Sequence, residues 1–550
     1  MSKQTIDGKA YAQMLLGGSI VLSAHAREVD DLNVFPIPDG DTGENMLLTI
    51  RGGADGHPQS ENLAQESKRI SENMLLSARG NSGVILSQFF EGITRGFENV
   101  PEADAEALGE AFRCGVACAY KAVLKPTEGT ILTVIRESTE YACAADTNTP
   151  QDFLEAFIEE AKRSLERTPE LLPVLKKAGV VDSGAAGLIY IMEGMKRALA
   201  GEAFEVSSAQ EAADAQEPDL DAFGADSILE LGYCTELLLR LQNAKTSVET
   251  FDTLRITEYL ETIGDSIVAV KNGSIVKIHV HTMTPHLVLA FCQQYGEFLK
   301  VKIENMSLQH NHIAKESEKA QASPAPAREK KPFGVVAVAN GEGIKEAFLG
   351  MGADVIVDGG QSMNPATEDF LQAFDQTCAH TILVFPNNGN IILAAKQAAS
   401  LYSDAQVHVL PSKTIGEGYA ALSMLDTDSG NVDSILEDCE MAMEGVLTAE
   451  VSQCVRDADM DGVSAHTGDY IGFMGKELLA SAPDRKGAAM LTLDRLDLEE
   501  HAVCILICGE DSTDEEAREL HDYIHARYPM TEVYMINGGQ NVYSYIIVAE

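Results

Sequence analysis

Two carboxylates, Asp39 and Asp41, flank Gly40 in the run Asn33-Val-Phe-Pro-Ile-Pro-Asp-Gly-Asp-Thr-Gly-Glu-Asn-Met46. Pro36 and Pro38 keep this stretch from being helix. Gly40, Thr42 and Gly43 allow a ligand to approach the backbone closely and offer N–H groups to it. Hard oxygen ligands beside exposed amides suit Mg²⁺ that already carries nucleotide phosphates, because this ion takes few protein ligands and keeps its waters. An Asp-rich turn before a helix is the plain alternative for Asp-Gly-Asp taken alone.

Three further segments share a small, polar, Gly-containing lead into a helix: Ala78-Arg-Gly-Asn-Ser-Gly83, Thr127-Glu-Gly-Thr-Ile-Leu-Thr133 and Val181-Asp-Ser-Gly-Ala-Ala-Gly187. Ser82 and Gly83 are placed near a helix N-terminus, where free N–H groups and the dipole favour phosphate. Thr130 and Asp182 hold matching positions. Each segment alone reads as a helix cap. Four of them in one helical domain, one with the acidic pair, favour phosphate binding. The Lys-bearing Gly-rich loop of P-loop kinases is absent, so the site depends on metal.

The elements that must position these groups fall into three parts, and the fold class is multidomain. Residues 1–200 carry helical spacing near 9–30, 44–54, 61–78, 83–97, 104–123, 131–144, 151–166 and 184–199, predicting an all-α bundle of about eight helices. Residues 226–312 predict β-α-β-β-α-β, with strands near 230–239, 266–271, 275–282 and 298–305 and helices near 251–263 and 285–295. Asn272-Gly273 marks a hairpin, and the order suggests an α+β ferredoxin-like sandwich. Residues 333–550 predict an α/β domain with two lobes. Strands at Gly334–Ala339, Asp354–Asp358, Thr381–Phe385 and Val407–Leu410 form the first, and strands near 502–508, 532–537 and 543–549 the second. Gly359-Gly360-Gln361 and Gly538-Gly539-Gln540 each follow a strand; they read either as matching sites or as coincidental tight turns. Residues 201–225 and the charged, Pro/Ala-rich 315–332 read as linkers.

The formal net charge is −44, from 85 Asp and Glu against 41 Lys and Arg. It argues against nucleic acid or an anionic membrane surface as partner. It also obliges a nucleotide site to build its own positive field. No apolar run is long enough to span a bilayer and no signal peptide is expected. Ten cysteines, scattered along the chain, suit a reducing cytoplasm.

The run 33–46, with 78–83, resembles the nucleotide-binding subunit of the dihydroxyacetone kinases. Within that group it is most similar to the ATP-binding subunit of the bacterial fatty acid kinases, over essentially the whole chain. The resemblance implies a helical barrel holding ATP and Mg²⁺ at one end. Asp39 and Asp41 then stand at two of three metal-binding aspartate positions, and Asn33 at the third, where an amide can ligate but supplies no charge. Asp39, Asp41 and Thr42 are the expected catalytic residues. Asn33, Gly40, Gly43, Asn45, Ser82, Gly83, Thr130 and Asp182 are the expected nucleotide contacts. The implied reaction is ATP-dependent phosphorylation of a fatty acid carboxylate presented by a separate fatty-acid-binding protein. The product is an acyl phosphate for phospholipid synthesis. A carboxylate is already ionised at pH 7 and needs no base, which agrees with His25 and His57 being isolated. The resemblance assigns dimerisation to the middle domain, giving a homodimer, and partner docking to the C-terminal one. A kinase for a small hydroxyketone and a nucleotide-sensing scaffold without turnover are the rival readings.

Cys234 lies in the first strand of the middle domain, and His279 and His281 lie two apart in its third, so the two histidines share a face. If those strands are neighbours, the three could hold Zn²⁺, with water, Glu236 or another chain as fourth ligand. Spacing alone favours a buried Cys beside a polar strand face. The resemblance reverses that, because the related protein carries a functional Cys and His-x-His here; metal binding, dimer contact and thiol chemistry all stay open. His286, His310 and His312 read as surface histidines.

Overall fold

The computed structural model describes residues 5–32, 40–54, 60–123, 125–202, 204, 233–242, 245–247, 251, 254–260, 263–272, 275–305, 330–360, 363–427 and 430–550. Asn33, Asp39, His57, Gly273, His310, His312, Gln361 and most of both expected linkers lie outside the described residues. The chain divides into two compact units, residues 1–206 with 329–550, and residues 207–328.

The helical part of the first unit comprises α1 (Gly8–Asp30), α2 (Thr42–Ala54), α3 (Leu63–Ser77), α4 (Gly80–Gly96), α5 (Ala105–Ala122), α6 (Ile131–Ala144), α7 (Pro150–Leu171), α8 (Pro173–Ala178) and α9 (Ser183–Leu199). Side-chain caps set most starts. Asp7 accepts from the Ala10 amide at 2.7 Å, and Thr149 with Asp152 forms a capping box on α7. The apolar stripes meet in a core where Phe89, Phe112, Phe153 and Phe157 pack edge to face, Phe112 lying 5.2 Å from Phe153 and 5.3 Å from Phe157. The eight helices expected from spacing are present among the described residues. The start of the fourth moves back to Gly80, and α8, a single short turn, has no counterpart in the periodic pattern.

The C-terminal part opens with a parallel sheet of β5 (Lys331–Ala339), β6 (Val355–Asp358), β7 (Ala379–Phe385) and β8 (Gln406–Val409), in the order β6-β5-β7-β8. β5 starts inside the segment expected as linker to residue 332: Lys331 pairs with Ala379 in the ladder and its ammonium meets Asp354. The second sheet is larger than expected. Besides β14 (Val503–Cys508), β15 (Glu532–Asn537) and β16 (Tyr545–Ala549), it contains β9 (Leu447–Gln453), β12 (Tyr470–Met474) and β13 (Glu477–Ala482), ordered β13-β12-β9-β16-β14-β15. A two-stranded ribbon, β10 (Ala458–Met460) with β11 (Val463–Ala465), links β9 to β12.

Described residues of the two Gly-Gly-Gln segments share one cavity. Gly359 and Gly360 after β6, and Gln540 after β15, line a small cavity of about 50 Å³ with Asn387, Lys413 and Glu450. Gln540 is buried, donating to the carbonyls of Ile507 and Tyr543 at 3.2 and 3.1 Å. Glu450, on β9, is 7% exposed. Burial, reinforced by Glu417, pushes its carboxyl up to about 8.

The helical and α/β parts share a seam. Ala78 and Val84 belong to the same apolar cluster as Val336, Val338, Phe370 and Phe374. Arg79 and Ala366 form an antiparallel bridge, and the Thr367 amide donates to the Ala78 carbonyl at 3.2 Å. Buried Gln397 ties both sides: its amide donates to the carbonyl of Leu75 at 2.7 Å and to Thr367 Oγ1 at 3.2 Å, and its oxygen accepts from Gln88 at 2.9 Å.

The second unit is antiparallel. β1 (Tyr233–Leu241), β2 (Gly264–Asn272), β3 (Ile275–Thr282) and β4 (Gly296–Asn305) are ordered β2-β3-β1-β4, with helices α10 (Leu254–Leu260) and α11 (Pro285–Cys292). Leu237, Leu239, Val276, Ile278 and Val280 form its buried face.

Gln397→Leu leaves the Leu75 carbonyl and the Gln88 amide without their partner. It should cost about 1–3 kcal/mol, read as a lower Tm with faster amide exchange in residues 367–377; an unchanged Tm refutes the role of this side chain. For Glu450, a native carboxyl above its unfolded value means the folded state binds more protons, so stability falls as pH rises from about 4.5 through about 8. Glu450→Gln should flatten the fall of Tm between pH 6 and 9. Parallel Tm profiles for the two proteins refute the assignment.

Candidate nucleotide and metal site

Four helix starts meet at one end of the helical part. α2 and α9 touch through Ser183 Oγ and Thr42 Oγ1, 3.4 Å apart. α6 and α9 are joined by Asp182, whose carboxylate accepts from the Ala185 amide at 2.8 Å and from the Ile131 amide. α2 and α4 meet where the Arg79 amide donates to Thr49 Oγ1 at 3.4 Å. The junction concentrates backbone N–H groups with no intrahelical acceptor.

Asp30, at the end of α1, receives the start of α2: its Oδ1 accepts from the Gly43 amide at 2.6 Å. Burial is the main cause that pushes Asp30 up to about 6, against the lowering effect of the Gly43 and Glu44 amides. Burial likewise pushes Asp182 up to about 6. A Cβ on Gly43 would collide with the Ala26 carbonyl, so glycine is needed for α2 to approach α1. Gly80 has φ +57°, and a Cβ there would sit 2.7 Å from Asn45 Nδ2, which explains glycine at the start of α4.

These contacts sort the expected site residues. Asp41, Thr42, Asn45, Asn81 and Ser82 line one wall of a cleft of about 520 Å³. Asp41 and Thr42 are half-buried at its edge and Gly40 precedes them, while Asn45 is buried, its amide donating to the Asp41 carbonyl at 2.8 Å. Gly83 lies inside the first turn of α4 and spends its amide on the Arg79 carbonyl, so Asn81 and Ser82 face the cleft in its stead. The Gly43 amide is likewise engaged, by Asp30. Thr130 caps α6 and donates to the Thr127 carbonyl at 2.8 Å, and Asp182 caps α9; both stand at the junction through Ile131 and Ser183. His25 stacks on Tyr190, ring centroids 4.2 Å apart, and meets Glu28 at 3.0 Å.

The opposite wall comes from the C-terminal part and has no precedent in the sequence reading. Lys413, Glu417, Glu450 and Lys476 line the same cleft, and Asn390 Oδ1 accepts from the side-chain Nδ2 of Asn81 at 3.1 Å across it. Asn364 donates from Nδ2 to Asp41 Oδ2. Separation in sequence hid these residues; a lysine among exposed polar residues carries no local signal. An oxygen-rich donor set of carboxylate, hydroxyl and amide groups, beside converging helix N-termini, fits Mg²⁺ carrying a polyphosphate.

In the second unit the ladder pairs Cys234 with His281 and Glu236 with His279 by backbone register. The side chains of these four lie outside the described residues. Among the described residues no group of three or more His, Cys, Asp or Glu is arranged to hold a metal ion, which leaves the expected Zn²⁺ without support. No helix among them is long and apolar enough to cross a membrane.

Comparison with known proteins agrees along the length of the chain. Residues 36–197 match the DAK2 domain, residues 230–313 the FakA-like middle domain of fatty acid kinases, and residues 334–550 the FakA-like C-terminal domain. Protein YloV of Bacillus subtilis (strain 168) is 40% identical over 560 residues, covering 100% of both chains. Among solved structures, the dihydroxyacetone kinase from C. freundii in complex with AMP-PNP and Mg²⁺ is 23% identical over 34% of this chain and 33% of its own, with a TM-score of 0.28. DegV, a fatty acid binding protein from Bacillus subtilis, is 12% identical over 40% of this chain and 99% of its own, with a TM-score of 0.31. With domain matches in family order and a full-length relative at this identity, the chain belongs to the FakA-like family of fatty acid kinase proteins.

Proposed function

We propose that this chain is the ATP-binding catalytic component of a two-component fatty acid kinase, transferring the γ-phosphate to the carboxylate of a fatty acid presented by a separate fatty-acid-binding protein. The observation that carries the reading is the placement of Asp41, Thr42 and Ser82 at converging helix starts on one wall of an open cleft. Family membership supports the acceptor and the partner, and the middle domain is read as the dimerising element, of ferredoxin-like type.

Asp41, with Asp39, would hold Mg²⁺ on the ATP phosphates, and the ion would neutralise charge on the phosphoryl group in transfer. The chain's own groups position and shield. Thr42 and Asn45 fix the loop against α9 and α4, and the amides of Asn81 and Ser82 offer N–H dipoles to phosphate oxygens. On the facing wall Lys413 and Lys476 are exposed and make no ion pair among the described residues. They supply positive charge in a chain of net charge −44 and offset Glu417 beside them. The acceptor carboxylate is ionised at neutral pH, so no side chain is required to remove a proton.

The direct test is formation of acyl phosphate from ATP·Mg²⁺ and oleate or palmitate, trapped as the hydroxamate, with and without a fatty-acid-binding protein from the same cell. Partner-dependent product is expected. No product with a competent, lipid-loaded partner refutes the reading and returns attention to small hydroxylated acceptors. Asp41→Ala should lower transfer by at least about 100-fold with the fold and partner binding retained; retained activity removes the metal assignment. Replacing Lys413 and Lys476 together by Met should lower kcat about tenfold at unchanged affinity for a non-hydrolysable ATP analogue. An unaltered kcat removes the lysines from the transfer step.

A further inference from the structure

The segment Met363-Asn364-Pro365-Ala366-Thr367 belongs to the C-terminal part, between β6 and the helix at residues 367–377. It lies against the starts of both α2 and α4. Ala366 bridges to Arg79, Thr367 takes the Ala78 carbonyl, and the Arg79 guanidinium donates to the Asn364 carbonyl at 3.4 Å. Pro365 holds Asn364 in an extended backbone. Asn364 is 3% exposed, and its Nδ2 donates to Asp41 Oδ2.

The orientation of this amide follows from chemistry. An ionised carboxylate only accepts, so Asn364 must turn its NH₂ towards Asp41. Its Oδ1 is thereby left buried with no hydrogen-bond partner among the described residues. Buried acceptors of that kind are uncommon in folded proteins and mark a place where another donor belongs. Next to a metal-ligand carboxylate, the donor that fits is a water of the ion's own shell, since Mg²⁺ keeps several.

We propose that Asn364 is a positioning residue for the metal site: its amide NH₂ sets the orientation of Asp41, and its carbonyl oxygen accepts from a water bound to the ion. The C-terminal part thus takes part in metal binding besides any docking of a partner. The proposal rests on the kinase reading above, through Asp41 as a metal ligand. It is distinct from that reading because it concerns only the orientation of Asp41 and metal affinity, not transfer.

The test is the Mn²⁺ affinity of the full chain with AMP-PNP, followed by electron paramagnetic resonance, which needs no turnover. Asn364→Ala and the near-isosteric Asn364→Leu should each weaken Mn²⁺ binding about tenfold, the scale seen for groups that orient metal ligands. Affinity for AMP-PNP without metal should stay unchanged, and both variants should stay folded at the assay temperature although Tm falls with the lost buried hydrogen bond. In an Asp41→Asn background the same substitutions should add little, because the two side chains act as one. Mn²⁺ affinity within about twofold of the parent protein in the Leu variant, or an equal loss in the Asp41→Asn background, overturns the proposal while leaving the kinase reading in place. Failure of the parent protein to bind Mn²⁺ with AMP-PNP removes both.

Discussion

Helix starts that crowd together must find acceptors for their amides, and that requirement organises the unit formed by the helical and α/β parts. The starts of α2, α4, α6 and α9 meet at one end of the helical part. Two carboxyls, Asp30 and Asp182, absorb some of these amides at the expense of their own ionisation, both being pushed up to about 6. The starts of α2 and α4 face the cleft. The capping that holds the bundle together therefore also decides where an anion can sit, and stability and ligand chemistry draw on the same set of N–H groups.

For the nucleotide site proposed above, that division stands in contrast to a dedicated lysine loop. A P-loop meets phosphate with backbone amides and a lysine from one stretch of chain. Here the amides come from the helical part and the positive side chains, Lys413 and Lys476, from the α/β part. On a chain of net charge −44, the cleft gathers positive charge from both of its walls.

Much of the helical part is legible in the sequence because amphipathic helices announce themselves by spacing and caps: Asp7, Asn62, Asp104, Thr149 and Asp182 all serve as the residue types predict. The parallel strands β5–β8 are legible as short apolar runs. The strands from 447 to 482 are not, because β9 buries Glu450 at a position that reads as polar, β12 is interrupted by Gly472, and β10 and β11 have three residues each. At the site, the helix that starts at Thr42, directly after Asp41, is legible from its spacing. Ser82 lies near a helix start, as its neighbours suggest, whereas Gly83 falls inside the first turn, since positive φ at Gly80 starts the helix sooner. The wall carrying Asn364, Asn390, Lys413 and Lys476 has no signature, because its residues acquire meaning only from a neighbour some 300 positions away.

The bridge between Arg79 and Ala366 has an evolutionary reading. A fold in which each lobe keeps its own ligand can exchange lobes with relatives as interchangeable modules. This one cannot do so freely, since a foreign C-terminal lobe would have to reproduce the Asn364 amide and the path of residues 363–367 against the α2 and α4 starts. The two halves are bound to inherit together, even though a separate unit, residues 207–328, is inserted between them in the chain.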